Sequence, residues 1–194
     1  MECNNRSNSM SFFTKVAVLV TDGFEQVELT GPVDALREAG AHVTIVSPKT
    51  GKIQGMNHDE KGDTFTPDAE LSVTRPDGFD ALLLPGGVAN PDYLRVNEAA
   101  VAFVRHFVTA KKPIAAICHG PWTLIEAGGV RGKTMTSWPS LRSDLSNAGA
   151  SWVDRSVVTD GTLVTSRNPG DIPDFAHAFL ALLKSSSQPT RLAS

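Results

Sequence analysis

Short runs in which nearly every residue is apolar alternate along the chain with longer stretches where apolar residues recur at helical spacing. KVAVLVT (15–21), HVTIVS (42–47), ALLLPGG (81–87) and PIAAI (113–117) have the length and content of strands covered on both sheet faces. Between them, Glu25 to Ala39 and Asn97 to Lys111 carry helix-like spacing, and a further helix is expected from about His119 to Ala127. Gly40 is placed to stop the first of these helices, and Gly31-Pro32 is where it would kink or restart. Such alternation predicts an α/β, single-domain, three-layer sandwich: a mostly parallel sheet with helices on both faces.

The pattern breaks from Thr50 to Thr74, a stretch rich in Gly, Asp, Lys and Thr, which is expected to be an excursion with small strands. VVTDGTLVTS (157–166) places two strand-like runs about Asp160-Gly161, a strong hairpin signal. A last amphipathic helix is expected from about Asp171 to Leu183. The domain is therefore bounded at 15–184, with polar tails at 1–14 and 185–194 that lack the apolar content to fold.

A chain of 194 residues with 41% hydrophobic content buries one sizeable core and is short for two. Its formal net charge of −3 leaves no basic field for nucleic acid or anionic lipid. No apolar run approaches the roughly 18–20 residues of a membrane span, and the first ten residues lack the apolar centre of a secretory signal. A cytoplasmic location is expected, with no nucleic-acid or membrane partner. Two cysteines, Cys3 in the polar tail and Cys118 in an apolar run, are no disulfide framework. The histidines and cysteines show no ligand spacing beyond a weak surface candidate at His58-Asp59-Glu60, so no metal and no cofactor are expected.

Cys118 ends an apolar strand and opens a helix-starting segment, with Ala116 before it and Gly120 after it. Small neighbours let the backbone turn sharply and lift the thiol above the sheet edge, the layout of a nucleophile elbow. A free cysteine out of context is as often a packed core residue, but packing has no need of such a turn. Unpaired N–H groups at a helix start favour thiolate. His119 can bring a ring nitrogen to the sulfur, although a lone histidine is more often a surface or packing residue. Gly86 and Gly87, directly after a strand, can present backbone N–H groups to a developing oxyanion, a signal that is weak alone. Glu25, in a first helical turn, reads by itself as a capping or dipole residue.

Together these residues resemble the PfpI family of intracellular cysteine peptidases, within the ThiJ/PfpI superfamily. The resemblance runs from about Lys15 to Leu183 and rests on DGFEQVEL (22–29), ALLLPGG, RVNEAAVAFVR (95–105), KPIAAICHGPWTLIEAG (112–128), GKTMTSWPSLRSDLSNAGASWVD (132–154) and VVTDGTLVTSRNPGDIPDF (157–175). It implies a flavodoxin-like, class I glutamine amidotransferase-like fold, with Cys118 as nucleophile and His119 as its partner. It implies a triad acid supplied by a neighbouring subunit, at the position of Asp92, and hence a homo-oligomer that is at least a dimer. The peptidase relative carries glutamate there, in a loop one residue shorter. The resemblance also places Glu25 as the buried glutamate beside the cysteine, tuning its thiolate character. The activity it implies is a stress-associated cysteine hydrolase acting on peptides, or on methylglyoxal and its protein adducts as a glyoxalase or deglycase. The alternative is a redox sensor or chaperone in which Cys118 is oxidised without turnover. A glutaminase would place a histidine and acid close together late in the chain, where SRNPGDIPDF has Asp171 and Asp174 but no histidine before His177.

Overall fold

Backbone with apolar side chains on both faces cannot sit at a solvated surface, and the four all-apolar runs form the centre of one sheet. The computed structural model describes residues 14–186. In chain order the elements are β1 (Lys15–Leu19), β2 (Phe24–Glu25), α1 (Gln26–Glu38), β3 (His42–Ser47), β4 (Ile53–Asn57), β5 (Glu60–Phe65), β6 (Ala69–Glu70) and β7 (Ala81–Leu84). There follow α2 (Ala89–Val96), α3 (Glu98–Thr109), β8 (Ile114–Ile117), α4 (Pro121–Glu126), β9 (Thr134–Met135), α5 (Arg142–Asn147), β10 (Ser151–Trp152), β11 (Val157–Asp160), β12 (Leu163–Ser166) and α6 (Ile172–Ser186).

The main sheet has seven strands in the order β11-β12-β8-β7-β1-β3-β6, parallel throughout except for the β11–β12 hairpin. Strand period two sends Val16 and Val18 to a core shared with Leu29 and Val33 of α1 and Phe175 and Phe179 of α6. Ala17 and Leu19 face the opposite core, filled by Phe103 and Phe107 of α3, Leu124 of α4 and Leu145 of α5. These two cores make the predicted α/β three-layer sandwich. Emptying one such position, as in Phe107→Ala, costs about 3–5 kcal/mol.

The topology directs attention to one edge. From β1 the chain steps to β3 on one side, then returns to β7 and β8 on the other. Register pairs Leu84 with Ala116 and Ile117 with Ser166, so the carboxyl ends of β7, β8 and β12 finish together. A sheet that reverses its winding opens a crevice beyond these ends.

The expected helix from Glu25 begins at Gln26; Glu25 itself closes β2 and takes the N-cap position with extended backbone. Pro32 lies inside α1, which runs unbroken to Glu38. The 50–74 excursion holds the β4–β5 hairpin, which joins β2 in a separate three-stranded sheet, followed by β6. The segment after Gly87, which lacks a clear period, forms α2. The last helix continues past Leu183 to Ser186. Apart from Thr14 and residues 185–186, the expected tails, Cys3 included, lie outside the described residues. Among the described residues, no helix is long and apolar enough to cross a membrane.

Candidate active site

Between the end of β8 at Ile117 and the start of α4 at Pro121 the chain turns through Cys118, whose φ is +60°. A non-glycine residue in that region costs on the order of 1 kcal/mol or more and persists only where its surroundings hold it. Here the Cys118 N–H donates to Ser166 O at 3.1 Å, Trp138 N–H donates to Cys118 O at 3.0 Å, and Gly120 N–H donates to Ile117 O at 2.9 Å. A Cβ on Gly120 would lie 2.6 Å from Leu84 O, so only glycine lets the turn approach the end of β7. The expected elbow forms. Cys118, 6% exposed, lines a cavity of about 720 Å³ whose wall also includes Glu25, Glu28, His58, Gly87, His119 and Trp138.

Four groups meet the sulfur. The backbone N–H groups of Gly87 and His119 both point at it. Gly87 reaches this position with φ +74°, and a Cβ there would lie 2.7 Å from Glu25 N and 2.8 Å from Phe24 Cα. Asn90 fixes the loop before it: its Oδ1 accepts from Thr21 N–H at 2.8 Å, and its Nδ2 donates to Pro85 O at 3.0 Å and Gly86 O at 3.1 Å. The third group is the carboxyl of Glu28, 0% exposed, which hydrogen-bonds Cys118 while its Oε2 accepts from Gly86 N–H at 3.0 Å. Burial, which penalises a buried anion, pushes Glu28 up to about 8, so the carboxyl is protonated at neutral pH. Burial and the negative charge that Glu28 would carry also push the Cys118 thiol up, against the lowering effect of the two N–H donors. The thiolate preference expected from a helix start is thus outweighed, since α4 begins three residues later and the sulfur is desolvated.

The fourth group is the ring of His119. Its Nδ1 lies 3.2 Å from Sγ and its Nε2 lies 3.3 Å from Ser140 Oγ. The ring is held between Trp122, edge-on at 5.0 Å, and Trp138, stacked at 6.0 Å. Burial lowers its pKa, so it is a neutral base at pH 7.

The structure brings together Cys118, His119, Gly86, Gly87 and Gly120 at one point, as their order in the sequence suggests. Glu25 lines the same cavity, but its Oε2 accepts from the His58 backbone N–H at 3.1 Å. The carboxyl on the sulfur is Glu28, one helical turn further along. Asp92 is exposed in the first turn of α2 and does not line this cavity. Sequence reasoning missed Glu28, Asn90 and Ser140. Only Glu28 left a trace in the sequence, as an acid at the spacing of the buried positions Leu29, Pro32, Val33 and Leu36 of α1.

The model of the DJ-1/PfpI family matches residues 14–182. The chain belongs to the DJ-1/PfpI family. Among its DJ-1/PfpI relatives, Deglycase TK1284 of Thermococcus kodakarensis is 44% identical over 170 residues, 88% of this chain and 99% of that protein. General stress protein 18 of Bacillus subtilis is 44% identical over 172 residues, 88% of this chain and 98% of that one. The structure is similar to that of DJ-1beta of Drosophila melanogaster, with a TM-score of 0.77 and 30% identity, covering 90% of this chain and 97% of that one. In this DJ-1/PfpI chain the elbow holds a thiol, a neutral imidazole, a protonated carboxyl and two aimed N–H donors within one cavity. That set suits addition to a carbonyl carbon, with a proton moved at each step.

Proposed function

We propose that the chain is a stress-associated cysteine hydrolase of the PfpI type that frees protein side chains from early adducts of 2-oxoaldehydes such as methylglyoxal. The observation that carries this reading is the sulfur of Cys118, on a buried residue that lines the cavity, touched at once by His119 Nδ1, Glu28 and two backbone N–H groups. An extended peptide continues on both sides of its scissile bond. An adduct on a side chain projects from its carrier and enters a recessed site end-on. The name of TK1284 as a deglycase supports the same choice.

The chemistry balances without an outside oxidant. His119 Nδ1 takes the thiol proton, the sulfur attacks the carbon bonded to the amine nitrogen, and the carbon–nitrogen bond breaks as His119 returns the proton to the leaving amine. The product on the enzyme is a hemithioacetal, S–CH(OH)–CO–CH3. Neutral again, His119 removes the proton from the carbon that bears sulfur and returns it to the neighbouring carbon, while the hydroxyl proton passes from the first oxygen to the second through the enediol, giving the thioester S–CO–CH(OH)–CH3. Water hydrolyses this to lactate and restores the thiol. Gly87 and His119 N–H, which face the sulfur, would donate to the oxygen on which charge develops. Free methylglyoxal enters the same path at the hemithioacetal. A cytoplasmic, homo-oligomeric protein, at least a dimer, belongs to this reading through the family likeness, and light scattering measures the subunit number.

The test is to present N-acetyl-lysine and N-acetylarginine carrying methylglyoxal adducts and to measure lactate and free amine, with Cys118→Ala as control. Release of both that depends on Cys118 is expected. Cleavage of unstructured peptides without lactate formation would replace this reading with a peptidase. Recovery of neither product would end it.

A further inference from the structure

His119 needs a partner on Nε2, because a neutral imidazole offers an acceptor on Nδ1 only while the proton sits on the other nitrogen. Ser140 Oγ is at that nitrogen, 3.3 Å away, in the same chain. We infer that Ser140 is the positioning residue of His119, fixing the tautomer that points a lone pair at Cys118 and completing a Cys–His–Ser relay within one subunit. The inference rests on the proposed hydrolase reading for the use of that lone pair.

The placement of Ser140 is built into the elbow. It lies in the short 3-10 turn Pro139–Leu141, whose Leu141 side chain is fully buried. Leu141 N–H donates to Trp138 O at 3.0 Å, and Trp138 N–H donates to the carbonyl of Cys118 itself at 3.0 Å. The hydroxyl that meets the base thus hangs from the nucleophile's own backbone, and the stacked Trp138 closes the ring's open face. Polarity at the ring follows from the two distances: with Nδ1 3.2 Å from the sulfur and accepting the thiol proton, Nε2 carries hydrogen and donates to Ser140 Oγ at 3.3 Å. A serine adds no charge, so the ring is oriented without becoming a permanent imidazolium, whereas a carboxylate in its place would raise the ring's basicity.

The experiment compares Ser140→Ala, Ser140→Thr and Asp92→Asn in the full chain. Two readouts are used: adduct turnover, and long-range proton–nitrogen NMR of the His119 ring, assigned by its disappearance in His119→Gln. The parent protein is expected to show the Nε2–H form. Ser140→Ala should mix the two tautomers and lower kcat roughly tenfold with KM changed less than about twofold, while Ser140→Thr keeps the tautomer and most of kcat. An unmixed Nε2–H ring in Ser140→Ala, or a larger loss of kcat in Asp92→Asn than in Ser140→Ala, would overturn the inference. Because the NMR readout needs no turnover, a failed adduct assay sinks the hydrolase reading without deciding the role of Ser140.

Discussion

The carboxyl of Glu28 and the thiol of Cys118 share one buried contact, in which Glu28 Oε2 also accepts from Gly86 N–H at 3.0 Å and Oε1 has no partner. Two acids in one desolvated space cannot both ionise cheaply, so each holds the other's proton in place. Glutamine at this position keeps one acceptor and one donor but never carries charge. In Glu28→Gln the thiol is therefore freed from the charge that pushes it up, and alkylation of Cys118 should reach its half-maximal rate at lower pH than in the parent, by about one unit or more. Mass-resolved labelling across pH measures this. An unchanged midpoint would mean that Glu28 has no electrical grip on the sulfur.

Glu25 provides the contrast. Its carboxylate takes the His58 N–H at the β4–β5 turn, where His58 itself has φ +57°. Glu25→Ala should leave the Cys118 labelling midpoint within about 0.3 units, since an acid that does not touch the thiol moves it little. It should destabilise the turn by about 1 kcal/mol. Faster proteolysis between Asn57 and Glu60, with unchanged labelling, is the expected pair of outcomes.

Stability should also fall with pH through Glu28. In the unfolded chain a glutamate releases its proton near 4.5, and in the fold near 8, so between these values the folded state holds the extra proton. Stability from this group is complete below 4.5, declines as pH rises, and is gone above about 8. Comparing pH 5 with pH 8, Glu28 should account for a fall of roughly 10 °C in Tm. Glu28→Gln should flatten that part of the profile, as thermal unfolding monitored by circular dichroism will show.

The periodic parts of this fold were legible because their causes are local. ALLL and IAAI must be buried on both faces, and Asp160-Gly161 makes its turn with Gly161 at φ +61° wherever it sits. The elbow was legible for the same reason: Gly120 and Cys118 are neighbours in sequence. Contacts across the sheet edge were not. Glu25 and Glu28 stand three residues apart, and nothing local says which one turns inward; what decides is that α1 starts at Gln26 and buries the stripe containing Leu29, Pro32 and Val33. Asn90 and Ser140 act on backbone and side chains 4–69 residues away, through loops whose paths only the folded sheet sets.

Asn90 should prove a structural keystone of the site. Fully buried, it joins the end of β1 to the loop after β7 through bonds to Thr21, Pro85 and Gly86. Asn90→Ala leaves the Thr21 N–H and two carbonyls without their partner and should cost about 3 kcal/mol, read as a shift in the urea midpoint. Asn90→Asp keeps the bond to Thr21 but sets a carboxylate against both carbonyl oxygens, and should be no more stable than the alanine variant. A loss below about 1 kcal/mol in both would show that water replaces the amide without penalty.

Gly87→Ala tests the proposed oxyanion donors directly. The residue sits at φ +74°, where an added Cβ would lie 2.7 Å from Glu25 N and 2.8 Å from Phe24 Cα, both backbone atoms that cannot swing aside. Relief requires the loop to move, which turns the Gly87 N–H away from the sulfur. Stability should drop by about 1–3 kcal/mol. With one of two donors lost, kcat should fall by roughly 10²–10³. Gly86→Ala, whose Cβ would instead lie 2.5 Å from Glu28 Oε2 and 2.6 Å from Cys118 Cβ, strains the acid and nucleophile side chains. It should therefore disturb the labelling midpoint, as Gly87→Ala also will, but through displacement of Glu28. The two are separated by adding Glu28→Gln: the double variant with Gly86→Ala should show a smaller further change in midpoint than Glu28→Gln makes in the parent, whereas with Gly87→Ala the two effects should add. Additivity in both pairs would place the Gly86 N–H outside the proton contact of Glu28 and Cys118.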